Sequence, residues 1–133
     1  MIYLPDTNAW IRFLNAEGSK VQQRLQTINS CKIRLCSVVK AELYFGAERS
    51  SRREENIRLL NELFSGIVSL DFDDAAAVQY GKIRGDLTSA GTPIGPNDLM
   101  IAAIALANEM VLVTHNTREF SRVVSLKIED WEL

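Results

Sequence analysis

The chain has 133 residues, the length of one ordinary domain, and a second domain does not fit within it. Its 47% hydrophobic and 24% charged residues are typical of a globular protein, and no run of about 18 apolar residues predicts a membrane span. The net charge of -2 excludes long-range attraction of the whole molecule to nucleic acid, so any phosphate binding must be local.

Two further observations concern the compartment of the protein. Asp6, Asn8 and Arg12 interrupt any apolar signal segment, so we expect a cytoplasmic protein. The only cysteines, Cys31 and Cys36, fit neither a CxxC redox pair nor a zinc site. We therefore expect two reduced and mostly buried thiols.

Short apolar runs alternate with amphipathic segments along the chain. The apolar runs predict four strands and a possible fifth, at residues 2–4, 33–36, 67–70, 110–113 and 126–128. The segments between them predict helices, at residues 8–14, 21–28, 38–47, 52–64, 74–90, 99–107 and 117–120. Glycines and prolines predict a loop at residues 91–96.

Polar residues precede several of these helices and can accept hydrogen bonds from the free N–H groups of the first turn. Thr7 or Asn8 is expected to cap the first helix, which would make Asp6 redundant as a cap. Ser37 is expected to cap the third helix, and Asp73 or Asp74 the fifth.

Alternating strands and helices with intensely apolar strands are typical of a parallel sheet covered by helices on both faces. We therefore predict an α/β fold, a three-layer α/β/α sandwich around a central, mostly parallel sheet of four to five strands. One such domain would span residues 1–133. The functional site of such a fold lies at the carboxyl edge of the sheet.

Three acids stand beside apolar segments: Asp6 directly after the first predicted strand, Glu42 within the third helix and Asp98 at the start of the sixth. Asp6 could be a helix cap, and Asp98 could serve only to complement the helix dipole. Glu42 is harder to explain, because its helical neighbours Val38 and Phe45 belong to an apolar face. An unpaired carboxylate buried there would cost several kcal/mol.

Two arrangements would satisfy Glu42. Either an arginine such as Arg12 or Arg84 pairs with it, or the carboxylate lines a polar cleft and meets a cation. Clustered carboxylates repel one another unless a cation neutralises them, so the three acids together predict a cation site. Mg²⁺ is the natural candidate because it prefers oxygen ligands, and such sites support phosphodiester hydrolysis. His115 is the only histidine, and no Ser–His pair competes with this interpretation.

Four segments of the chain carry a family resemblance, residues 4–8, 40–43, 95–103 and 113–120. Their order and spacing resemble those of a PIN-domain ribonuclease. The length of the chain and the segments 46–48 and 130–131 are more narrowly similar to VapC toxins of bacterial type II toxin–antitoxin systems. The resemblance implies an endoribonuclease that hydrolyses RNA phosphodiester bonds with Mg²⁺ or Mn²⁺.

The same resemblance assigns the metal-binding and catalytic roles to Asp6, Glu42 and Asp98. PIN domains often carry a fourth acid where this chain has Asn116, which could bind a metal through its carbonyl oxygen without adding charge. Glu119 could supply the missing charge.

Hydroxyl and amide groups beside the acids are candidates for a supporting role. Thr7 or Asn8 could hydrogen-bond to Asp6, and Thr114 could orient a metal ligand. Helix capping is the alternative explanation for all three residues.

Similarity to VapC toxins further implies a homodimer that is silenced by a small VapB-like antitoxin lying across the groove near the acids. The apolar residues that could anchor an antitoxin helix are Trp10, Phe13, Leu14, Tyr44 and Phe45. Core packing is the alternative for each of them, and it is favoured for Phe45. Structured RNA such as tRNA is the expected substrate.

Basic residues could form a local phosphate-binding rim around the acids, namely Arg49, Arg52, Arg53, Lys82, Arg84, Arg118 and Arg122. We expect Arg84, Arg118 and Arg49 to contact RNA. Arg84 interrupts an apolar helical stripe and could reach Glu42 or a carboxylate of the antitoxin. A solvated surface is the alternative for most of these residues.

The main alternative function is a PIN-like domain that is catalytically inactive and binds RNA or protein, which Asn116 would favour. A receiver-type phosphoacceptor domain would need adjacent acids after the first strand and a lysine after the last, and the chain has neither. A phosphatase of the DxD kind is disfavoured, because Asn8 stands at the second carboxylate position.

Overall fold

Five short parallel strands lie at the centre of the computed structural model, which describes every residue from Met1 to Leu133. The strands are β1 (Tyr3–Pro5), β2 (Arg34–Cys36), β3 (Val68–Leu70), β4 (Val111–Val113) and β5 (Ile128–Glu129). β4 pairs with β1 and β5, and β2 pairs with β3. A parallel bridge between Tyr3 and Ile33 joins the two groups, which gives the strand order β3-β2-β1-β4-β5.

The strands are connected by helices α1 (Thr7–Asn15), α2 (Lys20–Thr27), α3 (Ser37–Glu48), α4 (Arg53–Ser65), α5 (Asp74–Ser89), α6 (Pro96–Ala107) and α7 (Thr117–Phe120). A 3-10 turn over Ser30–Lys32 precedes β2. None of these helices combines the length and the apolar character needed to cross a membrane.

The burial of β4 shows that helices cover both faces of the sheet. All three residues of β4 are buried, and successive residues of a strand point to opposite faces. Helix α6 is enclosed in the same way, because residues 101–105 have no exposed surface and therefore no solvent-facing side. The predicted α/β sandwich with a parallel sheet is confirmed.

The last strand is placed later in the chain than predicted. Residues 126–128 were expected to form it, but the pairing to β4 involves Ile128 and Glu129. The N–H of Leu126 instead donates to the carbonyl of Val123 in a turn, at 3.1 Å. A two-residue strand leaves too short an apolar pattern for its position to be read from sequence.

Two capping predictions were wrong. Asp6, and not Thr7 or Asn8, caps α1, because its Oδ1 accepts a hydrogen bond from the N–H of Ala9 at 2.9 Å. Ser37 is already the first residue of α3, which has no side-chain cap.

The predicted Asp73 cap of α5 is confirmed by a 2.9 Å hydrogen bond to its Oδ1 from the N–H of Ala76. The expectation for the cysteines holds only in part. Both are free thiols, but Cys36 is buried in β2 whereas Cys31 is exposed in the 3-10 turn.

Leu112 of β4 has no exposed surface, so its replacement tests the centre of the fold. Leu112→Ala removes buried methyl groups and leaves a cavity, and we expect it to lower the free energy of unfolding by about 2–5 kcal/mol. Urea denaturation in the presence of a chelator measures this loss. Val124 is 96% exposed, and Val124→Ala should change the value by no more than about 0.5 kcal/mol. Equal effects of the two substitutions would contradict the central position of β4.

Candidate metal-binding active site

The residues that directly follow β1, β4 and β5 lie side by side at the carboxyl edge of the sheet. The N–H of Asp6 donates to the carbonyl of Val113 at 2.9 Å, and the N–H of Thr114 donates to the carbonyl of Glu129 at 2.9 Å. The chain leaves β1 towards β2 on one side and leaves β4 towards β5 on the other. A crevice at this reversal of strand order is the usual location of a site in an open α/β sheet.

Asp6 is the most buried of the acids at this edge, with 5% of its surface exposed. Burial raises the pKa of Asp6, and the negative charges of Glu132 and Glu42 raise it further. Hydrogen bonds from the Thr114 side chain and from the Ala9 N–H lower this pKa and so favour the ionised form. The cap interaction and the position at the edge are therefore two roles of one carboxylate.

Glu42 points from the half-buried side of α3 to the same place. Its Oε1 accepts a hydrogen bond of 2.6 Å from the Thr7 hydroxyl at the start of α1. The alternative of an arginine partner is wrong for both candidates. Arg12 pairs with Glu132 at 3.1 Å, and Arg84 donates to the hydroxyl of a tyrosine on its own helix.

Asp98 lies in the first turn of α6 and completes the triad predicted from the sequence. Its pKa is raised to about 6, first by burial and then by the charges of Asp6, Glu42 and Glu119. The charges of the other three acids therefore act on Asp98 across a shared cleft. No lysine or arginine forms an ion pair with any of them.

Glu119 on α7 places a fourth charge where Asn116 adds none. The Nδ2 of Asn116 donates to Oε2 of Glu119 at 3.2 Å. The backbone N–H of Asn116 donates to Oγ1 of the buried Thr114 at 2.9 Å, which fixes the loop between β4 and α7. Asn116 thus holds Glu119 beside the cleft, whereas Asn8 is exposed and makes no side-chain hydrogen bond.

The donor set of this acidic cleft fits a hydrated divalent cation. It offers only oxygen ligands. The pKa of Asp98 is raised first by burial and then by the three neighbouring negative charges, none of which has a cationic partner. The ligand atoms of only one group of side chains, His115, Asp130 and Glu132, all lie within 4.8 Å of one another. The oxygens of the four cleft acids are therefore spaced more widely than the ligands of a closed metal site. Mg²⁺ retains several waters in proteins and so tolerates a wide, open cleft.

The segment after β5 is the part of the site that the sequence did not predict. Glu132 lies near Asp6 and pairs with Arg12 of α1. Nδ1 of His115 lies 3.0 Å from Oδ2 of Asp130, which ties the β4–α7 loop to the same segment. A correct position for β5 would have indicated these residues, because they follow a parallel strand at its carboxyl end.

The predicted basic rim is only partly free to bind phosphate. Arg52 pairs with Glu55, and Arg53 pairs with Glu48. The exposed residues that have no acidic partner are Arg49, Lys82, Arg84 and Arg118. Arg84 does not pair with Glu42, so that alternative was wrong, and a contact of Arg84 with a carboxylate of the antitoxin stays a prediction.

An apolar groove of about 320 Å³ begins at Glu42 and runs between α1, α3 and α4. Its apolar lining residues include Ile11, Leu14, Leu43 and Leu59. The expected anchor Trp10 is wrong, because it is 1% exposed and belongs to the core. Phe45 was expected to pack in the core, and this was also wrong, because 62% of its surface is exposed.

Comparison with known proteins identifies the family of this fold and cleft. The PIN domain family matches residues 3–126, almost the whole chain. The chain belongs to the PIN-domain family. Its relatives are VapC ribonucleases, so the resemblance drawn from the sequence is confirmed.

This PIN domain is 40% identical over 129 residues to the tRNA(fMet)-specific endonuclease VapC of Shigella flexneri, and the match covers 97% of each chain. It is 36% identical over 129 residues to the enzyme of the same name from Salmonella typhimurium, again over 97% of each chain. These relatives span the full length of the fold described above.

Solved structures of VapBC complexes share the fold of this PIN domain. The DNA-bound VapBC from Salmonella typhimurium superposes with a TM-score of 0.89 at 36% identity, over 98% of both chains. VapBC2 from Rickettsia felis, bound to a DNA fragment from its promoter, superposes with a TM-score of 0.90 at 34% identity. The match covers 98% of this chain and 99% of the other.

The raised pKa of Asp98 predicts a stability that depends on pH in the absence of metal. An acid with a higher pKa in the folded state than its ordinary 3.8 binds its proton more tightly when folded. The resulting stabilisation is complete below a pH of about 3.8 and is lost as the pH rises through about 6.

Unfolding free energies of the parent and of Asp98→Asn, measured with a chelator across this range, test the prediction. Relative to Asp98→Asn, the parent should lose on the order of 1 kcal/mol with rising pH, after allowance for solvent screening. Asp86→Asn, an exposed acid on α5, is the matched control. A parent that keeps or gains stability relative to Asp98→Asn as the pH rises would contradict the raised pKa of Asp98 in the folded state.

Proposed function

We propose that this protein is an endoribonuclease that depends on Mg²⁺, with Mn²⁺ as a substitute. The observation that carries the proposal is the acidic cleft, where the charges of Asp6, Glu42 and Glu119 act on Asp98 and none of the four acids has a cationic partner. Membership of the PIN-domain family and the ribonuclease names of its relatives support RNA as the substrate.

Asp6, Glu42 and Asp98 would hold the metal, with Glu119 adding charge from α7. Two of these ligands are oriented by hydrogen bonds from donors of the chain. The Ala9 N–H binds Oδ1 of Asp6, and the Thr7 hydroxyl binds Oε1 of Glu42. Such hydrogen bonds orient ligands before a metal arrives and make them better donors.

A bound divalent cation supplies two effects in phosphodiester hydrolysis, a lower pKa of water and neutralisation of charge at the phosphate. The protein holds the carboxylates in fixed positions. Asp98 stands in the first turn of α6, whose middle residues 101–105 are fully buried, and Asp6 is fixed to β4 through its backbone. The cleft can therefore hold a phosphodiester bond in one orientation while the core remains unchanged.

We infer that tRNA(fMet) is a substrate, because two relatives that match this chain over 97% of its length bear that specificity in their names. Arg49, Arg84 and Arg118 are exposed guanidinium groups without acidic partners and would contact RNA phosphates. Local contacts of this kind replace the attraction that a net charge of -2 does not provide.

We also infer that the protein is the toxin of a toxin–antitoxin pair and binds a VapB-like antitoxin. Its structural neighbours are VapBC complexes, and the apolar groove beside Glu42 has the character of a site for an amphipathic helix. A helix in this groove would lie against the metal-binding acid and so could block the cleft. The homodimer implied by the family resemblance stays a prediction.

Metal binding can be tested without RNA. Without divalent ions, Asp98→Asn should melt at the same temperature as the parent or higher, because it removes one repelling charge. Added Mg²⁺ should raise the melting temperature of the parent appreciably and that of Asp98→Asn little, since only the folded site binds the ion. A structural role for Asp98 would instead appear as a loss of about 2 kcal/mol or more without metal.

Catalysis is tested by cleavage of tRNA(fMet) with Mg²⁺ or Mn²⁺. Glu42→Gln and Asp98→Asn should lose more activity than Thr7→Val, for which a supporting hydroxyl predicts a loss of roughly 10- to 100-fold. Glu17→Gln, which removes an exposed acid outside the cleft, is the control. Full activity of the cleft variants would refute the metal site. RNA binding by the parent without cleavage under either metal would favour the inactive binding module.

A further inference from the structure

Phe45 is a large aromatic residue that the fold leaves in solvent. It is 62% exposed and lies on α3, one helical turn after Glu42. Residues three apart on a helix are neighbours, with Cβ atoms roughly 5–6 Å apart. Helical side chains also lean towards the N-terminus of their helix, which brings the ring of Phe45 towards the turn of Glu42. An exposed aromatic face therefore lies beside a metal-binding acid.

Arg49 accompanies this ring one turn further along. Its guanidinium carbon lies 5.7 Å from the centre of the Phe45 ring, in the geometry of a cation–π contact. Arg49 has no acidic partner, in contrast to its neighbours Arg52 and Arg53. The pair offers two flat surfaces and one uncommitted positive charge, which are the features that bind single-stranded nucleic acid.

The position of Phe45 separates it from the apolar groove. The groove is lined on α3 by Glu42, Leu43, Gly46 and Ala47, and Phe45 is not among its lining residues. At about 100° per residue, Phe45 projects from the other flank of Glu42. A helix that fills the groove therefore does not need this ring, and the charge beside it favours RNA over an apolar protein partner.

We propose that Phe45 and Arg49 form a stacking platform for an unpaired nucleobase next to the phosphodiester bond in the acidic cleft. The base stacks on the Phe45 ring, and the Arg49 guanidinium stacks on the base or contacts its phosphate. Since every base has a π face, the platform selects unpaired, flexible RNA and not one base. This inference rests on the proposed ribonuclease function. It identifies Phe45 as a new substrate contact and assigns the predicted RNA-contacting residue Arg49 to the same nucleotide.

The first experiment is single-turnover cleavage of tRNA(fMet) over a range of enzyme concentrations. Phe45→Ala should raise the half-saturating concentration by roughly 5- to 100-fold, the range for one stacked base. Phe45→Trp should restore it, and Phe45→Leu, which keeps apolar surface without a π face, should not. Arg49→Lys should weaken binding less than Phe45→Ala does, and Arg58→Gln is the charge control because Arg58 pairs with Glu62 on α4.

A second experiment does not require catalysis. A short oligoribonucleotide with a fluorescent adenine analogue, whose emission falls on stacking, is titrated with each protein in chelator, with melting temperatures confirming the fold. The parent and Phe45→Trp should quench the emission, and Phe45→Leu should not. Aromatic-dependent quenching without cleavage would refute the ribonuclease function and leave the platform standing. Cleavage with equal half-saturation and quenching for parent and Phe45→Leu would overturn the platform.

Discussion

The hydrogen bond from the N–H of Asp6 to the carbonyl of Val113 is the contact on which the acidic cleft depends. It continues the parallel pairing of β1 and β4 by one residue past the end of β1. The N–H of Thr114 repeats the arrangement one strand further, at Glu129. These two bonds hold three segments that are distant in sequence together at one edge of the sheet. The segments are Asp6, the β4–α7 loop and the residues after β5.

The cleft and the core make opposite contributions to stability. Four carboxylates gathered in one cleft disfavour the folded state, and burial together with their negative charges raises the pKa of Asp98. The apolar residues of β4 and α6, which are buried on every side, offset it. The N-terminal end of α6 also favours the charge of Asp98 through the helix dipole. A cation bound as proposed would remove this repulsion and so stabilise the folded state.

The sequence predicts the fold well because its strongest signals are apolar. The run that forms β4 and the helix that follows Asp98 are too apolar to be exposed to solvent, so both must be buried. The alternation of apolar strands with helices indicates a parallel sheet that is covered on both faces. The three acids could be predicted for the same reason, since Asp6 and Asp98 adjoin such segments and Glu42 lies within one. Glu42 was the most informative, because an acid on an apolar helical face requires a partner.

What the sequence did not predict depends on contacts between distant segments. The pairing of Arg12 with Glu132 joins the two ends of the fold, and no local pattern indicates it. The exposure of Phe45 could not be read from α3 alone, because the helices that cover α3 leave this one side open. The cap of α1 was not predicted because Asp6 was assigned only to the cleft. Its carboxylate has two oxygens, so it can cap the helix and also face the cleft.

The pairing of Tyr3 with Val111 joins residues near opposite ends of the sequence, and this has a consequence for how the protein is made. On the ribosome, Asp6, Glu42 and Asp98 all emerge before β4 does. Contacts of such long sequence separation form late in folding, because the intervening chain must first be closed into a loop. A nascent or truncated chain that lacks β4 therefore carries all three acids and no cleft, and nuclease activity first becomes possible when the central strand has joined the sheet.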